Sequence, residues 1–137
     1  MTLTLRNNVQ DVPQLAVFVD QVCETAGFSA SITMQMNLAM EEAVVNVMNY
    51  AYPKGTEGEI SIEAQAVDGR VTFVIIDSGI PFDPTAEEEA DTSLSAEDRP
   101  IGGLGIFLVC QLMDVVSYEY RDGKNMLTLQ KEVKTRS

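Results

Sequence analysis

Two hairpin signatures limit what this chain can fold into more than any other feature. Residues 59–66 alternate, with Ile60, Ile62, Ala64 and Ala66 on one side and Ser61, Glu63 and Gln65 on the other. That is the period of a strand with one buried face. Asp68-Gly69 follows, a pair suited to a tight reversal, and residues 71–76 continue as a more apolar strand expected near the centre of a sheet. The arrangement recurs at 115–120 and 126–133 around Asp122-Gly123. Strands joined this tightly pair antiparallel, which rules against a doubly wound parallel sheet, whose strands need long crossovers.

Helical periodicity fills the intervals. After a short strand at 2–6, a helix is expected over 12–26, with Leu15, Phe18, Val19, Val22, Cys23 and Ala26 on its apolar face and Gly27 as its stop. Ser29 or Ser31 can cap a second helix running to about Asn49, whose core face is Met36, Ala39, Met40, Ala43 and Val47. A third helix is expected over 104–113. Neither an internal repeat nor a second core is visible. The order strand, helix, helix, two strands, long loop, helix, two strands predicts one domain over residues 1–137. Its architecture is a two-layer α/β sandwich, with three helices on one face of a mixed, mostly antiparallel sheet.

Composition narrows the chemistry. The 137 residues are 45% apolar and 22% charged, a globular profile with enough chain for a real core. The net charge of −12 argues against nucleic acid and against an anionic membrane as partners. No apolar run approaches the roughly 20 residues of a membrane helix, and the N-terminus does not read as a signal peptide, so a cytoplasmic protein is expected. Much of the charge is local: Asp83, Glu87, Glu88, Glu89, Asp91, Glu97 and Asp98 occur with no base among them. The chain contains no histidine, which removes Ser-His-Asp and Cys-His nucleophilic schemes and His-based metal sites. Cys23 and Cys110 lie in apolar helical patterns and are expected to be buried free thiols.

Three segments carry candidate chemistry. In the second helix, Glu42, Asn46 and Asn49 stack along one stripe beside the core face. Asparagine is a poor interior helix former, so the stripe is either a solvated face or an acid/base next to an oxygen ligand for a hard cation such as magnesium. In VIIDSGIPFDP, residues 74–84, an apolar strand delivers Asp77 to its end and the chain turns at Gly79. This is either ordinary turn chemistry or a carboxylate that accepts a hydrogen bond from an exocyclic amine, with Gly79 admitting a flat ring. In PIGGLGIFLV, residues 100–109, Gly102, Gly103 and Gly105 open a helix, where free N–H groups and the positive dipole end suit phosphate. That segment matches neither a dinucleotide-binding nor a Walker A pattern.

In order and spacing these segments resemble the GHKL (Bergerat-fold) ATPase superfamily, and within it the anti-sigma-factor serine kinases. The family's N-box matches Glu42 and Asn46, its first glycine box matches Asp77-Ser78-Gly79-Ile80, and its second matches Gly103-Leu104-Gly105. The resemblance covers roughly residues 3–133. It implies that Asn46 ligates magnesium on ATP, that Asp77 binds the adenine amino group and that Glu42 is the general base. Asn49, Gly79, Ile80, Gly102, Gly103, Leu104, Gly105 and Ile106 would line the nucleotide, with residues 83–102 as the ATP lid. It further implies a serine on an anti-sigma-factor antagonist (STAS-domain) protein as substrate, a sigma factor as a second partner, and a homodimer. Three positions depart from the family pattern. Tyr50 stands where a histidine is common, Ile101 where an arginine often reaches the γ-phosphate, and Lys124-Asn125 where a Gly-Thr pair often precedes the last strand.

A serine kinase in a partner-switching pathway is therefore the expected function. A module that binds ATP and sequesters a regulator with little catalysis is the alternative. An ATP-binding module of a larger two-component kinase fits less well, because the chain has no phosphoacceptor histidine.

Overall fold

The computed structural model describes residues 1–52, 55–85 and 103–133. Five strands form one sheet: β1 (Thr2–Arg6), β2 (Glu59–Val67), β3 (Arg70–Asp77), β4 (Val115–Arg121) and β5 (Lys124–Glu132). Their spatial order is β1-β2-β3-β5-β4, so β3 is central and β1 and β4 are the edges. Every pairing is antiparallel. The mixed sheet expected from the sequence is thus antiparallel throughout the described residues. Both Asp-Gly pairs form reversals: Asp122 and Gly123 both take positive φ, as a two-residue turn of the I′ type requires, whereas in the first hairpin Gly69 does so and Asp68 does not.

Register places one apolar row of each strand on the same face. Ile62 faces Ile75, Ile75 faces Leu127, Ala64 faces Phe73 and Phe73 faces Leu129, and all are buried. A one-residue slip of β3 would turn Val71, Phe73 and Ile75 to solvent. At roughly 1.5–3 kcal/mol for each, that loss rivals the whole stability of an ordinary domain, so the register is firmly specified.

Three helices cover this face: α1 (Val12–Thr25), α2 (Ala30–Tyr50) and α3 (Gly103–Leu112). Ser29 caps α2, its side chain accepting from the Ile32 N–H at 3.2 Å. Gly27 takes the positive φ that ends α1. A 3-10 turn, Val9–Asp11, leads into α1, and the Asp11 carboxylate fastens it to β1 by accepting from the Arg6 N–H at 3.0 Å and its guanidinium at 3.0 and 3.2 Å. The central helix is α2, packed against α1 on one side and α3 on the other. Every residue of the two expected helical core faces is buried, and Val44 and Met48 join them. Among the described residues, no helix is long and apolar enough to cross a membrane.

Candidate functional site

Strand parity builds the first part of the site. In β3 the inward residues are Val71, Phe73, Ile75 and Asp77, so the last inward position carries a carboxylate, only 3% exposed. Burial pushes the Asp77 pKa up, against hydrogen bonds from Asn125 and the Gly79 N–H that favour the ionised form. Both bonds, at 2.8 Å from Gly79 and 2.9 Å from the Asn125 amide, go to Oδ1. No hydrogen bond to Oδ2 is formed among the described residues.

The loop after Asp77 is pinned from two sides. The Ile80 N–H donates to the Ala51 carbonyl at the end of α2, at 2.8 Å. A Cβ at Gly79 would sit well inside contact distance of that same carbonyl oxygen and 2.7 Å from its carbon. Glycine is therefore required there by the close approach of two backbones, a reason separate from any access it gives a ring. From the other side, the Asn125 amide donates to the Ile80 carbonyl at 2.8 Å and accepts from the Phe82 N–H at 2.9 Å. The Phe82 ring packs on Tyr50 of α2 with centroids 5.5 Å apart. Tyr52 completes the frame, donating to the Glu59 carbonyl and accepting from the Ser78 N–H.

The second part of the site is where α2 meets α3. A Cβ built on Gly105 would lie 2.5 Å from Glu42 Oε2 and 3.8 Å from the Asn46 amide. Two segments that lie far apart in the chain thus touch, and Gly105 leaves the room the Glu42 carboxylate occupies. Asn46 is only 6% exposed and forms no hydrogen bond among the described residues, although its side-chain atoms are not sealed from solvent. The stripe of Glu42 and Asn46 is accordingly turned to the start of α3, with Asn46 buried and Glu42 half-buried. The N–H groups of Gly103, Leu104, Gly105 and Ile106 occupy the first turn of α3, where a helix leaves its donors unpaired.

The remaining expected site residues fall elsewhere. Asn49 is exposed near the end of α2. Ile80 is committed through its backbone, while its side chain is 52% exposed in an open cleft with Tyr52, Glu57, Glu59 and Tyr120. Ile106 is corrected in one respect: its side chain is 1% exposed in the hydrophobic core, so only its backbone can face a ligand. Gly102 and positions 86–102 of the expected lid lie outside the described residues, as does the Leu104 side chain. Cys23 is a buried thiol with its pKa pushed up to about 11 by burial, and Cys110, also outside any disulfide among the described residues, is half-buried.

Sequence reasoning missed the two polar partners of Asp77's neighbourhood, Asn125 and Tyr118. Asn125 faces Asp77 directly in the β3–β5 register, and the Tyr118 hydroxyl donates to Asn125 Oδ1. The available signal was that Asn125 stands where a family threonine is common.

The histidine kinase-like ATPase domain family matches residues 5–131. The chain belongs to this family. Within it, serine-protein kinase RsbW of Listeria monocytogenes is 32% identical over 110 residues, covering 77% of this chain and 70% of its own length. Serine/threonine-protein kinase BtrW of Bordetella bronchiseptica is 27% identical over 128 residues, covering 93% and 90%. Serine-protein kinase RsbW of Bacillus cereus is 30% identical over 110 residues, covering 77% and 68%. This histidine kinase-like ATPase therefore groups with the GHKL serine kinases its motif order resembles, and its α/β sandwich is consistent with the GHKL fold.

Proposed function

We propose that the chain is an ATP-dependent serine/threonine-protein kinase and anti-sigma factor that phosphorylates a serine of an antagonist (STAS-domain) protein. The observation that carries this reading is the close approach of Glu42 to Gly105 at the start of α3, with the Asn46 amide beside it. It joins a carboxylate, a neutral oxygen ligand and a set of free N–H groups in one place, which is the minimum set for phosphoryl transfer. Along α2, Glu42 lies roughly 13 Å from the Ala51–Gly79 contact, taking 1.5 Å rise per residue. ATP would extend along that helix, with its base at Asp77 and its phosphates at α3.

Asp77 Oδ2 accepts from the adenine amino group. Asn46 would supply one amide oxygen to magnesium. Among the described residues no cluster of three or more acidic, histidine or cysteine groups could hold a metal alone. A single neutral ligand nevertheless suits an ion that takes phosphate and water oxygens for the rest of its shell. Magnesium held there would supply neutralisation of the charge on the transferring phosphates. Glu42 takes the proton from the serine hydroxyl as its oxygen bonds to the γ-phosphorus and the bond from that phosphorus to ADP breaks. A cytoplasmic homodimer, with β1 or β4 as the edges available for pairing, and a sigma factor as second partner complete the reading.

The test is transfer to a partner recovered from the native cell, read as phosphoserine by mass spectrometry after incubation with Mg·ATP. Glu42→Ala is expected to keep nucleotide affinity and to lower the transfer rate by about 10²–10⁴. Transfer at the wild-type rate by that variant removes Glu42 as the base. A tight complex that gains no phosphate with the wild-type chain favours sequestration over catalysis.

A further inference from the structure

The inward row of the sheet ends in two polar residues that face each other, Asp77 and Asn125, and the mechanism above uses only the first. We propose that Asn125 is a positioning residue that determines base specificity: it holds one oxygen of Asp77 so that the other is offered to an exocyclic amine as a fixed acceptor. This role rests on the reading of Asp77 as the adenine-binding carboxylate.

Asn125 is 3% exposed and its amide is saturated. Its two N–H donors go to Asp77 Oδ1 and to the Ile80 carbonyl, and its oxygen accepts from the Phe82 N–H and the Tyr118 hydroxyl. That accounts for its whole donor and acceptor capacity. The orientation cannot be inverted, because a flipped amide would set its oxygen against two other acceptors and its NH₂ against the Phe82 N–H. One side chain therefore fixes three things at once: the Asp77 carboxylate, the 80–82 segment that packs on the end of α2, and Tyr118 on the edge strand.

The consequence for specificity follows from what a carboxyl group can do. Ionised, Asp77 only accepts, which suits a 6-amino purine and repels a 6-oxo purine. Protonated, it can also donate, and the distinction weakens. Burial works toward the protonated form, and the Asn125 donor to Oδ1 works against it. An uncharged donor at this position holds Asp77 as an acceptor without adding a charge to the interior.

The experiment compares ATP with inosine triphosphate, which carries an oxygen in place of the amine, by calorimetry with magnesium from about pH 6 to about pH 8, alongside thermal melts of each variant. The wild type is expected to prefer ATP. Asn125→Ala is expected to lower ATP affinity about tenfold, the effect of one lost charge-assisted hydrogen bond, with inosine triphosphate little changed, so that the ratio collapses. Asn125→Asp keeps the shape and serves if the alanine variant does not fold. It places a second carboxylate against the first, the two share a proton, and the ATP preference should rise with pH more steeply than in the wild type. A wild-type ratio in a folded Asn125→Ala or Asn125→Asp overturns the proposal, as does an equal loss of both nucleotides, which marks a purely structural residue. If the wild type itself shows no ATP preference, or Asp77→Asn leaves it intact, then the reading of Asp77 has failed instead.

Discussion

Asp77 is buried because the inward parity of β3 runs one residue past its apolar part. A buried carboxylate at this position costs stability when ionised. Burial is the largest influence on its pKa and raises it above the ordinary aspartate value of 3.8. Below that value the group is protonated in both folded and unfolded chains and costs nothing. As pH rises from there through the raised folded pKa, the unfolded chain releases its proton first and the folded state loses stability, which stays lost at higher pH. Asp77→Asn keeps an oxygen for Gly79 and Asn125 while removing the charge. Near pH 7 the variant is expected to unfold at a urea midpoint at least as high as the wild type, with the advantage gone below about pH 3.8, and to bind ATP more weakly at all pH. The sequence made Asp77 legible as a strand-end carboxylate but left turn and site equally open. Its burial and the engagement of only one of its oxygens are tertiary facts that favour the site reading.

The contacts between elements give the two glycine boxes different physical meanings. Gly79 meets backbone at the end of α2, which cannot yield, whereas Gly105 meets the tip of the Glu42 side chain, which can. Gly79→Ala is therefore expected to destabilise by about 1–3 kcal/mol or more, as overpacking against a rigid neighbour does. Gly105→Ala should leave the urea midpoint unchanged or raise it, since alanine favours a helix over glycine by about 1 kcal/mol. It displaces the Glu42 carboxylate, however, and transfer should fall at least about tenfold, the effect of misplacing a catalytic group. Midpoints and transfer rates measured on both variants check the pair. The boundaries of α1 and α2 were readable from Gly27 and Ser29 because caps act through neighbouring residues. The face of α3 was not, since Ile106 turns to the core on account of what the helix packs against.

A nucleotide lying along α2 would touch the loop after β3, the helix itself and the start of α3, so its binding should stabilise the fold as one unit. At Mg·ATP about 100 times above Kd the gain is about 2.7 kcal/mol, or a rise of about 10 °C in Tm for a domain of this size. Glu42→Ala should keep that rise in a thermal melt, whereas Asn46→Ala should lose the part that depends on magnesium. A rise in Asn46→Ala equal to that of the wild type, with magnesium present, removes Asn46 as the metal ligand. The alternation of 59–66, the 3.6-residue spacing from Leu15 to Val47 and the two Asp-Gly turns were enough to specify strands, helices, hairpins and the sandwich class, because each is enforced between residues a few positions apart. The meeting of Glu42 with Gly105, of Gly79 with Ala51 and of Asp77 with Asn125, 48 residues away, is set by sheet register and helix packing. Those depend on burying the apolar face of every element at once, and no local pattern in the chain encodes them.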